Sequence, residues 1–183
     1  MAKRCARATV PPVPGEIHDE HPFRTPPDLR DPVRQFRGRL AAPVTVVTAG
    51  TRETRTGLTV SSLLVAEGEP SYVHFLAGTT TDLWYAIEET GRFIVHVLEG
   101  DSRELSDRFA GIRPSPGGLF AGLEVSDTEY GPEIAGLDTR AYCRYVGHRD
   151  DALHALVHGE IEQVTLHDLR EPLQYFRGEY FTG

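Results

Sequence analysis

The sequence predicts a mostly β fold, an antiparallel barrel packed with a few α-helices. Short apolar runs bounded by turn residues outnumber helical patterns along the 183 residues, and the two patterns do not alternate regularly. No repeat of fixed period occurs, which excludes solenoids and propellers. Neither Gly-x-Gly-x-x-Gly after a strand nor Gly-x-x-x-x-Gly-Lys is present, so the common nucleotide-binding folds are not indicated.

Helices are predicted at three places. The first begins at a cap, Asp28, and ends before Pro43, with arginines on its solvent side. Its opposite, apolar side consists of Leu29, Val33, Phe36 and Leu40. The second covers residues 79–91, with a threonine-rich start and a glycine end. The third is a short helix over residues 101–111.

Strands are predicted where branched and aromatic residues run between turn-forming residues. The predicted strands cover residues 44–49, 58–65, 72–76, 92–98, 141–146, 153–164 and 173–181. The first two are expected to form a hairpin. The strand at 92–98 is too apolar to have an exposed face, so we expect both of its faces to be covered.

Composition narrows the functional classes. The net charge of −8 argues against a general affinity for nucleic acid, which depends on clustered Lys and Arg. No apolar run approaches the roughly 20 residues that span a bilayer. Prolines are concentrated in residues 1–27, which predicts a flexible arm ahead of a domain at 28–183. Cys5 and Cys143 lie in unlike segments, so we predict no disulfide and a cytoplasmic location.

A glycine and alternating hydroxyls mark the segment Arg55-Thr-Gly-Leu-Thr-Val-Ser-Ser62. Small residues at a strand edge let a planar ligand lie against the backbone, and alternation would place Thr59 and Ser61 on one face. Gly57 is expected where the chain bends or where a ligand comes close. The segment is also compatible with an ordinary, partly solvated strand.

Threonines at the start of the second predicted helix suggest an anion site. The free N–H groups and the dipole of a helix N-terminus favour a negative charge there. The alternative is that residues 79–81 only cap the helix. One threonine can do both.

Five segments in order resemble the flavin reductase family of FMN-binding split barrels, over about residues 29–180. They are Val44-Thr-Val-Val-Thr-Ala49, Gly57-Leu-Thr-Val-Ser-Ser62, the pair Thr80-Thr81, Gly91-Arg-Phe-Ile-Val-His-Val-Leu98 and Leu105-Ser-Asp-Arg-Phe-Ala-Gly111. Each is common by itself, and the specificity lies in their order. The resemblance implies an antiparallel split barrel that binds flavin.

The resemblance also implies which residues hold the cofactor. The flavin ring and ribityl chain would lie along the strand edge, and the phosphate would be held by the threonine pair and an arginine. The residues concerned are Thr59, Val60, Ser61, Ser62, Thr80, Thr81, Arg108 and Phe109. For Phe109 we favour core packing, and Trp84 is likewise spaced as a core residue of its helix.

His154 is the residue that the resemblance assigns to catalysis, beside the nicotinamide. The family's Gly-Asp-His is here Ala152-Leu153-His154, so the histidine is kept and its two predecessors are not. The other interpretation of His154 is an exposed residue on the polar side of a strand. His96 and Gly78 stand where the family has asparagines, and either replacement is expected to alter flavin affinity. The alternative for His96 is a core histidine bonded to the backbone.

The resemblance implies FMN or FAD as the flavin and NADH or NADPH as the hydride donor. It also implies a homodimer and a partner monooxygenase that receives reduced flavin. No metal site is predicted, because the histidines lack nearby cysteines or an evident second shell. Two alternatives stay open: a non-catalytic flavin-binding protein, and a flavin- or deazaflavin-dependent oxidoreductase acting on an organic substrate.

Overall fold

The computed structural model describes residues 31–168 and 171–182. Within them lie three α-helices and twelve β-strands, and no helix there is long and apolar enough to cross a membrane. The predicted arm at residues 1–27 lies outside the described residues. The cap Asp28 lies outside them as well.

The elements follow one another in the order that the sequence predicts, with strands in the majority. The helices are α1 (Pro32–Arg37), α2 (Asp82–Thr90) and α3 (Arg103–Phe109). The strands are β1 (Ala42–Pro43), β2 (Thr45–Ala49), β3 (Thr56–Val60), β4 (Leu64–Ala66), β5 (Tyr72–Gly78), β6 (Arg92–Val97), β7 (Val125–Thr128), β8 (Gly131–Ile134), β9 (Arg140–Asp151), β10 (His154–Thr165), β11 (Leu173–Phe176) and β12 (Glu179–Thr182).

Seven strands form one antiparallel sheet in the order β3-β2-β6-β9-β10-β5-β4. If this sheet were flat, its two edge strands would lie about 29 Å apart. Those edge strands, β3 and β4, are consecutive in the chain and are joined by residues 61–63 alone, a connection that reaches about 15 Å at most. The sheet must therefore curl, which gives an open, split barrel.

The main core fills the space between this sheet and α2. Leu83, Trp84 and Ile87 of α2 pack with the rings of Phe75 and Phe93, whose centroids are 5.5 Å apart. α2 forms because the Thr81 side chain caps its N-terminus and Gly91 ends it in the left-handed conformation, with φ 69°. A second core cluster lies around Phe109 of α3, against β2, β8 and β11.

The predicted end of the first helix is wrong, because α1 ends at Arg37 and does not continue to Pro43. α1 covers only six residues and is capped by Asp31, whose carboxylate accepts a hydrogen bond from Arg34 N–H at 3.0 Å. Its apolar side is not buried: Val33 is 76% and Phe36 64% exposed. The helix is too short to bring a second turn of apolar residues onto the core.

Two long strand predictions are wrong because a turn interrupts each segment. Residues 58–65 divide at 61–63 into β3 and β4, which lie at opposite edges of the sheet. Residues 173–181 form the hairpin β11–β12, turned at Arg177, with φ 54°. The hairpin β7–β8 is absent from the sequence-based prediction. β6 is buried along its middle, so the prediction of two covered faces is confirmed.

Candidate functional site

The end of β5 brings three of the predicted segments together. Ser62, in the link between β3 and β4, accepts a hydrogen bond through Oγ from the Leu76 N–H at 3.0 Å. Gly78, the last residue of β5, is paired with His154, the first residue of β10. The threonine pair follows Gly78 directly in the chain. The serine link, the threonines and the histidine therefore lie at the same end of the barrel.

The hydroxyl of Thr81 is engaged by the protein itself. It donates to the carbonyl oxygen of Gly78 at 2.8 Å and accepts from the Trp84 N–H at 3.3 Å. The capping role expected of this segment is thus confirmed for Thr81. With its one proton committed, this hydroxyl has only a second lone pair to offer and cannot donate to an anion without leaving its carbonyl partner.

Thr80 differs from its neighbour because its side chain is exposed. Next to it, α-helical geometry leaves the N–H groups of Asp82 and Leu83 without intrahelical acceptors. A phosphate at this terminus would meet a free hydroxyl and two amides. The carboxylate of Asp82, in the first turn of α2, opposes an anion, so the binding strength must come from hydrogen bonds more than from net charge.

His154 is exposed and follows a tight turn between β9 and β10. The first residue of that turn, Ala152, has φ 55°, a left-handed conformation that glycine adopts with less strain. Leu153, at the tip, is 81% exposed. The position of His154 beside Gly78 agrees with a role next to the flavin, and its exposure also agrees with a solvated strand residue, so its catalytic role stays a prediction.

The α3 side of the barrel has less free space. A Cβ built on Gly57 would lie 2.7 Å from the Phe109 ring, and Phe109 is buried, edge-on to Phe120 at 5.3 Å. Core packing of Phe109 is therefore confirmed. The missing side chain of Gly57 accommodates this ring, so close approach of a ligand is not needed to explain the glycine.

The strand-edge residues divide into engaged and available side chains. Thr59 Oγ1 donates to the Ser106 carbonyl of α3 at 2.6 Å, and the Val60 side chain lies in the main core. Ser61 and Ser62 follow the end of β3 and are half-buried. Because β3 ends at Val60, the predicted alternation of faces does not extend to the two serines. Of the four predicted residues, the two serines keep a hydroxyl proton that has no acceptor within the described residues, although Ser62 Oγ accepts from Leu76 N–H.

Arg108 lines a cavity of about 360 Å³ to which no residue of α2 contributes. Its Nη1 donates to the Ala121 carbonyl at 3.0 Å. The rest of the wall carries more carboxylates than cations. The charged residues of the lining are Glu99, Asp101, Glu104, Arg108 and Asp138. This surrounding does not favour a phosphate, and a phosphate contact for Arg108 stays a prediction. A second crevice, of about 450 Å³, lies beside Asp82 and Tyr85 of α2.

A hydrogen-bond network that the sequence-based prediction lacks fixes α3 to the last strand. Ser106 Oγ donates to Tyr180 OH at 2.9 Å, and that hydroxyl donates to Asp107 at 2.7 Å. Desolvation raises the pKa of Tyr180 to about 12. These partners are more than 70 positions apart in the chain, so no local sequence pattern could indicate them.

His96 is a core residue. It is fully buried, and its Nε2 lies 3.2 Å from Thr48 Oγ1, which donates its own proton to the Pro132 carbonyl at 2.7 Å. Because that proton is committed, His96 Nε2–H must be the donor to Thr48. Burial, with a smaller contribution from Arg140, lowers the pKa of His96 to about 4, so the ring is neutral at pH 7.

Trp84 confirms the packing role expected of it. Its ring lies in the main core, 4.6 Å from the ring of His148 and 6.1 Å from that of Tyr145. The Tyr145 hydroxyl and His148 Nδ1 are 2.6 Å apart. This aromatic group covers the inner face of β9 beneath the first turn of α2.

The comparisons with known proteins agree with this fold. Residues 37–183 match the family model described as the flavin reductase like domain. The chain belongs to this flavin reductase-like family.

Two relatives that match most of the chain are reductases by name. The chain is 31% identical over 150 residues to the reductase subunit HsaB of a flavin-dependent monooxygenase from Mycobacterium tuberculosis, covering 80% of this chain and 79% of that protein. It is 32% identical over 151 residues to the NADH-dependent FMN reductase SmoA of Agrobacterium fabrum, covering 80% and 84%.

Among solved structures, the chain resembles nitrilotriacetate monooxygenase component B from Mycobacterium thermoresistibile. The TM-score is 0.73 at 28% identity, over 82% of this chain and 86% of the other. These comparisons confirm the resemblance to flavin reductases and the mostly antiparallel β fold. They also confirm the predicted activity, the reduction of a flavin by a nicotinamide cofactor. The individual site residues are predictions still.

Proposed function

We propose that this flavin reductase uses NADH or NADPH to reduce FMN or FAD and supplies the reduced flavin to a partner monooxygenase. The observation that carries the proposal is the convergence of Ser62, the threonine pair and His154 at the end of β5. The names of its relatives support it, since HsaB is the reductase subunit of a monooxygenase and SmoA is an NADH-dependent FMN reductase.

The residues present fit a flavin of this kind. Thr80 and the first amides of α2 would hold the phosphate, and the half-buried Ser61 and Ser62 would lie along the ring and ribityl chain. When bound, the flavin supplies the hydride acceptor and the nicotinamide supplies the hydride. The chain's own task is to place two flat rings in contact. We assign to His154 the positioning of the nicotinamide, because it borders the same end of β5.

The direct experiment mixes purified protein with each nicotinamide and each flavin under air and follows the loss of nicotinamide absorbance. Consumption that depends on both protein and flavin is expected. If no pair is consumed, the proposal fails. Retention of yellow colour through gel filtration would then favour the non-catalytic flavin-binding alternative, for which the replaced residues Ala152 and Leu153 are the specific observation.

His154→Ala tests the assigned role. We expect KM for the nicotinamide to rise more than KM for the flavin, because the side chain is assigned to the first and not to the second. His167→Ala removes another exposed imidazole and serves as the matched control. A larger rise in KM for the flavin would contradict the assignment.

We further propose that the protein acts as a cytoplasmic homodimer. The resemblance to split-barrel reductases implies the dimer. The exposed apolar residues Val33 and Phe36 of α1 and Leu40, which follows α1, support it because such residues are commonly covered by a partner. Light scattering coupled to gel filtration measures the mass in solution, and a strictly monomeric mass would refute the dimer.

A further inference from the structure

Two histidines face each other on the outer side of the barrel. His74 of β5 is paired directly with His158 of β10. Their rings are stacked, with centroids 4.6 Å apart and planes inclined by 25°. Both side chains are half-buried. Because the strands are neighbours in a rigid sheet, the backbone holds the two imidazoles together before any ligand arrives.

The nitrogens of these two rings have no other task in the part of the chain that the structure describes. Neither ring forms a hydrogen bond or an ion pair there, and their contacts are ring contacts with each other and, for His158, with Tyr72 at 4.6 Å. His96 and His148 differ, since His96 is bonded to Thr48 and His148 to Tyr145. Four imidazole nitrogens therefore remain available.

Directly opposed side chains in an antiparallel pair have Cβ atoms about 4.5–5.5 Å apart. Two imidazoles at that spacing can turn their nitrogens to one ion at about 2.0–2.1 Å. Neutral imidazole suits Zn²⁺, Cu²⁺ and Ni²⁺, and Cu²⁺ binds most tightly of the three. The acidic net charge of −8 adds a general attraction for cations.

We propose that His74 and His158 form a binding site for a divalent transition-metal ion, completed by water. No group of three or more His, Cys, Asp or Glu able to hold a metal occurs within the described ranges. The carboxylate of Glu160, two positions after His158 on the same face of β10, is engaged by Arg144. The site thus has two protein ligands. Its other coordination positions are open to water, unlike those of a closed structural zinc site.

The location indicates what the ion would do. The pair lies four positions along β5 and β10 from Gly78 and His154, which is about 14 Å. An ion held there is too far from the end of β5 to contact reactants at that end. It would cross-link two strands that support the candidate site and so stabilise the folded state.

Titration calorimetry of the tag-free protein with ZnCl₂ tests the site. One ion per chain is expected, and either His74→Ala or His158→Ala should weaken binding about a hundredfold, because the second ligand acts as an intramolecular one. His167→Ala, which removes an imidazole elsewhere, should bind as the wild type does. Equal affinity in all four proteins, or loss in the control alone, would overturn the proposal.

Cu²⁺ provides a readout that does not depend on affinity. Electron paramagnetic resonance should show coupling to two nitrogens in the wild type and to one in either variant. Zn²⁺ should also raise the melting temperature of the wild type and of His167→Ala, but not that of His74→Ala or His158→Ala. A two-nitrogen spectrum that persists in His74→Ala would assign the copper to other ligands and refute the site.

Discussion

The two helices that carry predicted site residues differ in how far the protein already occupies their bonding groups. At α2, Thr80 is exposed and the first amides lack intrahelical acceptors. At α3, Phe109 is buried against Gly57, and Ser106 and Asp107 are bonded to Tyr180. The start of α2 can therefore bind a ligand without losing a native contact, whereas α3 fixes the architecture of that side.

The largest effect is expected at Phe109, because this ring fills the space between α3 and β3. Phe109→Ala should lower the free energy of unfolding by about 3–5 kcal/mol, measured by urea denaturation. Phe109→Leu keeps most of the volume and is the control, with a smaller loss. If Phe109→Ala left stability unchanged and only weakened flavin binding, the contrast between the two helices would be wrong.

Acid should destabilise the fold through His96, whose hydrogen bond to Thr48 lies between β6 and β2. The pKa of this residue is about 4 in the folded chain, against 6.5 for the free side chain. The unfolded chain takes up the proton first, so stability is full above about pH 6.5 and falls as the pH drops toward 4, by about 3 kcal/mol in all.

His96→Asn isolates this contribution, because asparagine can also donate to Thr48 but does not titrate. Urea denaturation of both proteins at several pH values measures the difference. We expect the stability of the wild type to fall faster than that of His96→Asn between pH 6.5 and 4. Parallel curves would show that His96 is not the titrating group.

At α2, adjacent threonines should respond differently. Thr81→Ala removes a cap and should lower the free energy of unfolding by about 1 kcal/mol. Thr80→Ala should leave stability unchanged and weaken flavin binding by about 1 kcal/mol, through loss of a phosphate hydrogen bond. Denaturation and flavin fluorescence titration separate the two. Unchanged flavin affinity in the Thr80→Ala, Thr81→Ala double variant would refute the assignment of these threonines to the flavin phosphate.

The smallest effect concerns the turn before His154. Ala152→Gly should raise the free energy of unfolding by up to about 1 kcal/mol, because glycine adopts the observed φ of 55° without the strain of a Cβ. Thermal melting is the measurement. Leu153→Gly, at the neighbouring position, is the control, and no stabilisation is expected there.

The sequence predicted well where a local pattern decides the structure. The cap and glycine end of α2, the buried β6 and the packing of Trp84 each follow from residues within one element. The predictions failed where a short turn changes the direction of the chain. Residues 61–63 lead from β3 to the opposite edge of the sheet, and the turn at Arg177 reverses the chain between β11 and β12. No periodicity reports such a change of direction.

The candidate site could be predicted only in part, for a related physical reason. Residue types showed which side chains could contact a flavin, and the fold brought Ser62, Thr80 and His154 to one end. Which hydroxyls are free depends on partners distant in sequence. Thr59 is bonded to Ser106 and Tyr180 to Asp107, and these contacts exist only after the chain has folded.

The three-residue link between β3 and β4 has a consequence for how the chain can fail. This link keeps the edge strands β3 and β4 close to each other, so a single proteolytic cut at 61–63 would allow both edges to move apart. Each edge would then present unpaired amides and carbonyls, a template on which other chains add strands. The intact link thus limits how far the two edge strands can separate.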